Sequence, residues 1–307
     1  LSKPGGPLRV AVARYRIEPR PSGFGFDAFA RKQADWLGEA QKLGARLAVL
    51  PEYLSLELAA AFPPAIHADL QTSLEAIQAL HEPWMALFSR LASELDMHIV
   101  AGSFLLANGR GGYRNRSYRF APDGRHGWQD KLQLTCFEKK AGQGGAGVIE
   151  PGDALGVYEI DGVRTGTAVC YDCEFPLPVR AQREAGMQLL VVPSCTDTDA
   201  GATRVRVGCL ARALENRCFV AQAVTAGEAP WSPALDANTG EAAVYAPMDA
   251  GLPDDGVLAM TRGEERWAVA ELDFAALEAS RERAQVANDR DWPGQLAPAI
   301  ARAKFDP

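Results

Sequence analysis

The apolar residues of this 307-residue chain come in runs far too short for anything but strands and single buried turns, and this limits the fold more than any other feature. Residues 47–50 and 189–192 are continuous apolar runs and residues 8–13 form a slightly longer apolar-rich stretch, whereas a membrane span needs about 20. Between them stand stretches of helical period. Residues 26–43 put Phe26, Phe29, Ala30, Leu37 and Ala40 on one side of a helix that Gly44 stops, and residues 46–50 return to extended structure. That β-α-β opening calls for a sheet covered by helices.

The alternation continues. Helices are predicted over 65–80 and 83–95, then a strand over 98–106. Residues 113–120 enter a hairpin through the turn Pro122-Asp123-Gly124-Arg125, and 157–160 pair with 163–169 across Asp161-Gly162. A helix over 176–186, a strand over 188–192 and a helix over 204–216 follow, the last with Val207, Leu210, Ala211 and Leu214 as its apolar face. Strands over 218–224 and 267–272 complete the pattern, while 229–255 reads as loops over the surface or the mouth of a site. The expectation is one α/β domain with a mixed sheet, or two sheets with helices outside, and no internal repeat.

Composition narrows the function classes. A net charge of −7 with dispersed Lys and Arg argues against a nucleic-acid partner. Arg114, Arg116 and Arg119 lie close together on one strand and read equally as exposed side chains or as an interface. The N-terminal apolar stretch is shorter than the core of a signal peptide, so a cytoplasmic protein with no membrane association is expected. Six scattered cysteines agree with a reducing compartment. Cys170 and Cys173 form a C-x-x-C, but no second pair or histidine pair completes a zinc set. A redox role for Cys170 and Cys173 is the alternative reading.

Three segments place a reactive side chain at the end of an apolar strand or just beyond it: LAVLPEY with Glu52, WQDKLQL with Lys131 and TAVCYDCEFP with Cys170. Sites in α/β proteins sit there. Hydrolysis of a carbon–nitrogen bond needs a nucleophile, a proton acceptor and positive charge where an oxyanion develops, and the three segments supply one of each. Singly each is weak. A Glu after a strand is usually a solvated loop residue, a lone Lys a surface charge, and a Cys in an apolar segment inert core.

Their order and flanks carry more. LPEY, DKLQLTCFE and VCYDCEFP, followed by VVPSCTD and ARALENRCFV, resemble the nitrilase superfamily of carbon–nitrogen hydrolases over almost the whole chain. The resemblance implies an α-β-β-α sandwich spanning residues 1–285 as a single domain. It implies a Glu52-Lys131-Cys170 triad, no cofactor or metal, and assembly into a homodimer or larger homo-oligomer, with a tail at 286–307 packing at the interface. Glu138, seven residues after Lys131, matches a second glutamate that orients the lysine or contacts substrate, and the backbone N–H of Tyr171 matches an oxyanion donor.

The expected activity is thiol-dependent hydrolysis of a small amide through a thioester. Nitrile hydrolysis and a catalytically silent binding module are the alternatives. Lys131 is expected to favour the Cys170 thiolate and make it the most reactive of the six cysteines. Asp172, Glu174 and Phe175 are expected to fix the turn presenting Cys170, Cys195 to line the pocket, and Cys209 and Cys218 to pack in the core. Specificity is assigned to loops at 53–64, 138–147 and 196–203, with Gly142, Gly144, Gly145 and Gly147 beside the site.

Overall fold

The computed structural model describes residues 6–18, 23–140, 149–297 and 303–304. Gly142, Gly144, Gly145 and Gly147 lie outside the described residues, as does most of the end of the predicted tail. In chain order the elements are β1 (Leu8–Arg16), α1 (Phe26–Lys42), β2 (Leu47–Leu50), α2 (Pro64–His67), α3 (Leu70–Ile77), α4 (His81–Glu94), β3 (His98–Ala107), β4 (Tyr113–Phe120) and β5 (His126–Asp130). Then come α5 (Cys136–Lys140), β6 (Ile149–Glu150), β7 (Val157–Ile160), β8 (Val163–Thr167), α6 (Pro176–Glu184), β9 (Leu189–Ser194), α7 (Asp199–Asn216) and β10 (Phe219–Glu228). The chain continues through β11 (Ala237–Asn238), β12 (Ala243–Tyr245), β13 (Val257–Met260), β14 (Trp267–Leu272), α8 (Phe274–Ala279) and α9 (Asn288–Asp291).

Strand pairing builds two mixed sheets. One runs β5-β4-β3-β2-β1-β14, with β6 beside β4. The other runs β7-β8-β9-β10-β12-β13. They join where the end of β1 pairs in parallel with β10, Arg14 opposite Val224 and Arg16 opposite Ala226.

Side-chain alternation explains the layering, because successive residues of a strand point to opposite faces. On β1, Ala11, Ala13 and Tyr15 pack against α1 and α4, whereas Leu8, Val10 and Val12 face the second sheet. On β2, Ala48 and Leu50 go to the helices and Leu47 and Val49 to the sheet interface. On β9, Leu189 and Val191 face the first sheet while Leu190 and Val192 meet α6 and α7. Three apolar layers therefore separate four layers of structure, the expected α-β-β-α sandwich. Strands buried on both faces need unbroken apolar runs, and each fully buried Val, Leu or Ile contributes roughly 1.5–3 kcal/mol.

Several local expectations are corrected. The helix predicted over 65–80 is broken at Asp69, whose carboxylate caps α3 by accepting the Thr72 N–H at 2.9 Å. Residues 54–61 of the predicted loop at 53–64 form a 3-10 helix, buried almost throughout, since LSLELAAA is apolar all round rather than on one face. The stretch at 229–255 contains β12, and β13 follows at once, because Ala242 to Ala246 are buried beside β10.

The largest correction is α7. Val207 is 58% exposed, and the buried face is Gly201, Val205, Gly208, Cys209, Arg212, Ala213 and Asn216. Gly208 allows that choice: a Cβ there would lie 2.9 Å from Cys173 Sγ, so the helix backbone rests directly on the segment after Cys170. In the C-terminal region, Asp289 is buried and held by Arg183 at 3.1 Å and Arg281 at 2.8 Å, which ties α9 to α6. Among the described residues no helix is long and apolar enough to cross a membrane.

Candidate active site

Glu52 stands two residues beyond β2 and is 1% exposed. Tyr53 turns the chain at a φ of 60°, the left-handed region that few non-glycine residues adopt. The turn is clamped from β3. Gly102, with φ +61°, lies so close that a Cβ would sit 1.9 Å from the Pro51 carbonyl oxygen, and Ser103 Oγ accepts the Tyr53 N–H at 2.9 Å. Glu52 is therefore held from two strands.

Lys131 follows β5, and its N–H donates to the Asn115 carbonyl on β4 at 2.9 Å. Its ammonium reaches Glu52 Oε1 at 2.8 Å and Glu138 Oε2 at 2.9 Å. Glu138, on α5, accepts the Thr135 N–H at 2.8 Å. The Asn115 amide donates to both carboxylates, at 2.8 Å to Glu52 and 3.0 Å to Glu138. One cation and two carboxylates thus share a buried site.

Cys170 opens a 3-10 turn beyond β8 with φ +50°. Asp172 holds that turn, accepting the Val169 N–H at 3.0 Å, and the same carboxylate accepts the Leu132 N–H at 3.1 Å and the Gln133 N–H at 2.6 Å. One buried side chain therefore registers the cysteine turn against the lysine loop. The Cys170 thiol is 5% exposed, donates to the Cys195 carbonyl at 3.6 Å and interacts electrostatically with Glu52 beside it.

Burial pushes Glu52 above the ordinary carboxylate range, with Lys131 opposing and Glu138 reinforcing the shift. Burial acts on Glu138 too, but Lys131 and the hydrogen bonds from Thr135 and Asn115 outweigh it and hold that carboxyl low. Lys131 is held charged because the two glutamates overcome its desolvation. Burial and the Glu52 charge push the Cys170 thiol well up, more than Lys131 brings it down. Lys131 does favour the thiolate, as expected, but burial and the Glu52 charge outweigh it, because the ammonium is shared with two carboxylates. Carboxylates driven apart in this way can take different tasks, one exchanging a proton and the other staying a counter-ion.

Glu52, Lys131 and Cys170 open into a cavity of about 490 Å³, with Glu138 buried behind Lys131. Cys195 lies on its wall, as do Thr196, Asp197 and Gly201 from the predicted loop at 196–203, although α7 already begins at Asp199. Tyr171 also borders it, its ring edge-on to Phe175 at 4.9 Å. Cys209, Cys218 and Cys173 are buried, and Cys136 is exposed. Among the described residues no cluster of His, Cys, Asp and Glu is arranged to hold a metal ion. Asn115 and Tyr53 escaped sequence reasoning. A signal for the first exists: in YRNRSYRF the asparagine takes a position where Tyr113 and Ser117 turn inward, and a polar residue there needs buried partners.

The profile of the carbon–nitrogen hydrolase family matches residues 9–281. The probable hydrolase YhcX of Bacillus subtilis is 26% identical over 286 residues, covering 93% of this chain and 53% of YhcX, so the chain spans about half the length of that relative. Omega-amidase NIT2-B of Xenopus laevis is 25% identical over 287 residues, covering 92% of this chain and 95% of its own. Among solved structures, a mutant of the Nesterenkonia AN1 amidase, from the nitrilase superfamily, superposes with a TM-score of 0.67 at 23% identity, covering 95% of this chain and 99% of that one. A double mutant of the same amidase is in complex with acrylamide.

Proposed function

This chain belongs to the carbon–nitrogen hydrolase family, and from that premise we propose that it hydrolyses a small carboxamide through a thioester on Cys170. The observation carrying the reading is the buried Lys131 ammonium between Glu52 and Glu138, with the Cys170 thiol and Glu52 lining one cavity.

Sulfur attacks the amide carbon as its proton passes to Glu52, whose raised affinity for a proton suits that exchange. The carbonyl oxygen becomes anionic and takes hydrogen bonds from Lys131 Nζ and the Tyr171 N–H. Glu52 then gives its proton to the departing nitrogen, and ammonia or an amine leaves. Water, deprotonated by Glu52, attacks the thioester and returns the thiol. Glu138 stays ionised throughout and holds Lys131 in place. A neutral resting thiol fits this sequence, since deprotonation is coupled to attack by the adjacent base.

The names of the relatives, omega-amidase and amidase, and the acrylamide bound by one of them favour amides over nitriles. Assembly into a homodimer or larger homo-oligomer, with the segment after residue 285 at the interface, is part of the same reading and is tested by sedimentation of the chain with and without it.

The test of the activity is ammonia release from short aliphatic amides, ω-amides of dicarboxylic acids, N-carbamyl compounds and matching nitriles, with Cys170→Ala in parallel. Release from an amide that disappears in the variant supports the proposal. Release confined to nitriles replaces amide with nitrile as substrate. Undiminished release in Cys170→Ala overturns the assignment of the nucleophile.

A further inference from the structure

Strand β4 carries three arginines, and two of them are accounted for. Arg114 lies 3.8 Å from Glu150 and 3.6 Å from Asp153. Arg116 grips Asp130 through two parallel bonds of 2.7 and 2.9 Å. Arg119 differs. Among the described residues its guanidinium has one long contact, 3.4 Å to the Trp128 carbonyl, lies 4.0 Å over the Tyr158 ring and has no carboxylate partner. A half-buried cation without a counter-ion is unfavourable unless something else supplies the charge. Burial works against the Arg119 charge, and the Tyr158 hydroxyl alone offsets it in part.

Arg119 lines a cavity of about 440 Å³ between the β4–β5 hairpin of one sheet and β7 of the other. That volume lies in the range of small-molecule sites. The other basic side chains on its wall have partners: Arg125 pairs with Asp123 at 2.7 Å, His98 hydrogen-bonds Asp161 at 3.0 Å and the His126 ring stacks on Phe120. Glu159 also borders it but follows Tyr158 on β7, so its side chain points to the other face of that strand. Opposite Arg119 on β5, Gly127 leaves the guanidinium room to lie flat, since a Cβ there would come within 2.3 Å of Arg119 Nη2.

We propose that this cavity is a second binding site, separate from the catalytic one, for a small molecule bearing a carboxylate or phosphate group that seats on Arg119. The planar fork suits either oxyanion, because two parallel N–H donors match two acceptor oxygens. The site is tied to the catalytic strands. Arg119 shares its face of β4 with Asn115, the residue that donates to both Glu52 and Glu138, and the Tyr158 hydroxyl lies 3.0 Å from Thr167 Oγ1 at the end of β8, just before Cys170.

The experiment is calorimetric titration of the full chain with inorganic phosphate and, separately, with succinate, at constant ionic strength so that screening does not mimic a loss. Saturable binding of one probe is expected, and the probe that binds says whether the ligand carries phosphate or carboxylate. Arg119→Gln should weaken it about tenfold or more, the weight of a charge-assisted contact. Gly127→Ala, which keeps the charge but displaces the guanidinium, should also weaken it. Arg204→Gln, on the wall of the catalytic cavity, should leave it unchanged. Absence of binding by either probe overturns the proposal, as does binding that Arg119→Gln and Gly127→Ala leave intact or that Arg204→Gln removes.

Discussion

Replacing Lys131 by Met removes the cation that bridges two buried carboxylates. At 2.8 and 2.9 Å the gross attraction is about 6 kcal/mol per contact for an effective dielectric of about 20, and most of it offsets desolvation of the three charges. Breaking such a buried pair costs about 3–5 kcal/mol when the orphaned charges persist. That is within the 5–15 kcal/mol typical of a domain, so the variant should still fold. The pH dependence identifies the cause. Without Lys131 the two glutamates must share a proton, which raises the folded-state pKa above the unfolded value. Stability relative to the unfolded chain is then full at low pH and lost as pH rises through the raised value. In the native protein Glu138 is held low, so its contribution is present above the unfolded carboxylate pKa and lost as pH falls. Urea melts across the acidic and neutral range should show a deficit in Lys131→Met that is largest at neutral pH and shrinks on acidification. Amide hydrolysis should fall by about 10² to 10³, the loss of one oxyanion donor, or more because Glu52 is displaced as well. A pH-independent deficit, or activity within a few-fold of the parent, would refute the electrostatic account.

Gly208→Ala drives a methyl to 2.9 Å from Cys173 Sγ and 3.0 Å from its carbonyl oxygen, so about 1–3 kcal/mol of overpacking is expected in urea unfolding, together with a lower kcat as the Cys170 turn shifts. Asp172 is pushed up to about 6 by burial, against the hydrogen bonds from Gln133, Val169 and Leu132 and the charge of Lys131. A raised carboxylate favours folding below its unfolded pKa of 3.8 and loses that advantage as pH rises through about 6, whereas the three N–H bonds that align the site need the ionised form. Stability should therefore decline and kcat/KM rise over that interval. Asp172→Asn, read by pH–rate and pH–Tm profiles, should flatten both, and unchanged profiles would remove Asp172 from the account. Because the resting thiol is neutral, alkylation of Cys170 by iodoacetamide should keep accelerating above pH 9, and a plateau at neutral pH would show a pre-formed thiolate.

Much of this molecule is readable from local pattern. The short apolar runs of β1, β2 and β9, the hairpin turn at Asp161-Gly162, and the reactive residues stationed beyond strand ends are statements about neighbours in the chain, and each led to the element or position observed. Helix α7 was misread because Val207, Leu210, Ala211 and Leu214 do repeat at helical spacing. What selects the opposite face is Gly208 against Cys173, a contact between residues 35 positions apart in number. The 3-10 helix at Leu54–Ala61 was missed for a similar reason, since a segment buried on every side has no period to detect.

The site divides along the same line. Side-chain chemistry, residue order and flanking motifs are written in the sequence, and they were enough to single out Glu52, Lys131, Cys170 and Glu138. How those groups titrate is not, because a pKa depends on charges and solvent within a few ångströms. Only the folded sandwich brings Asn115 between two glutamates, buries Lys131, and sets Asp172 across the lysine and cysteine turns. Those juxtapositions join strands far apart in the chain, and they push Glu52 and Glu138 in opposite directions and the Cys170 thiol upward.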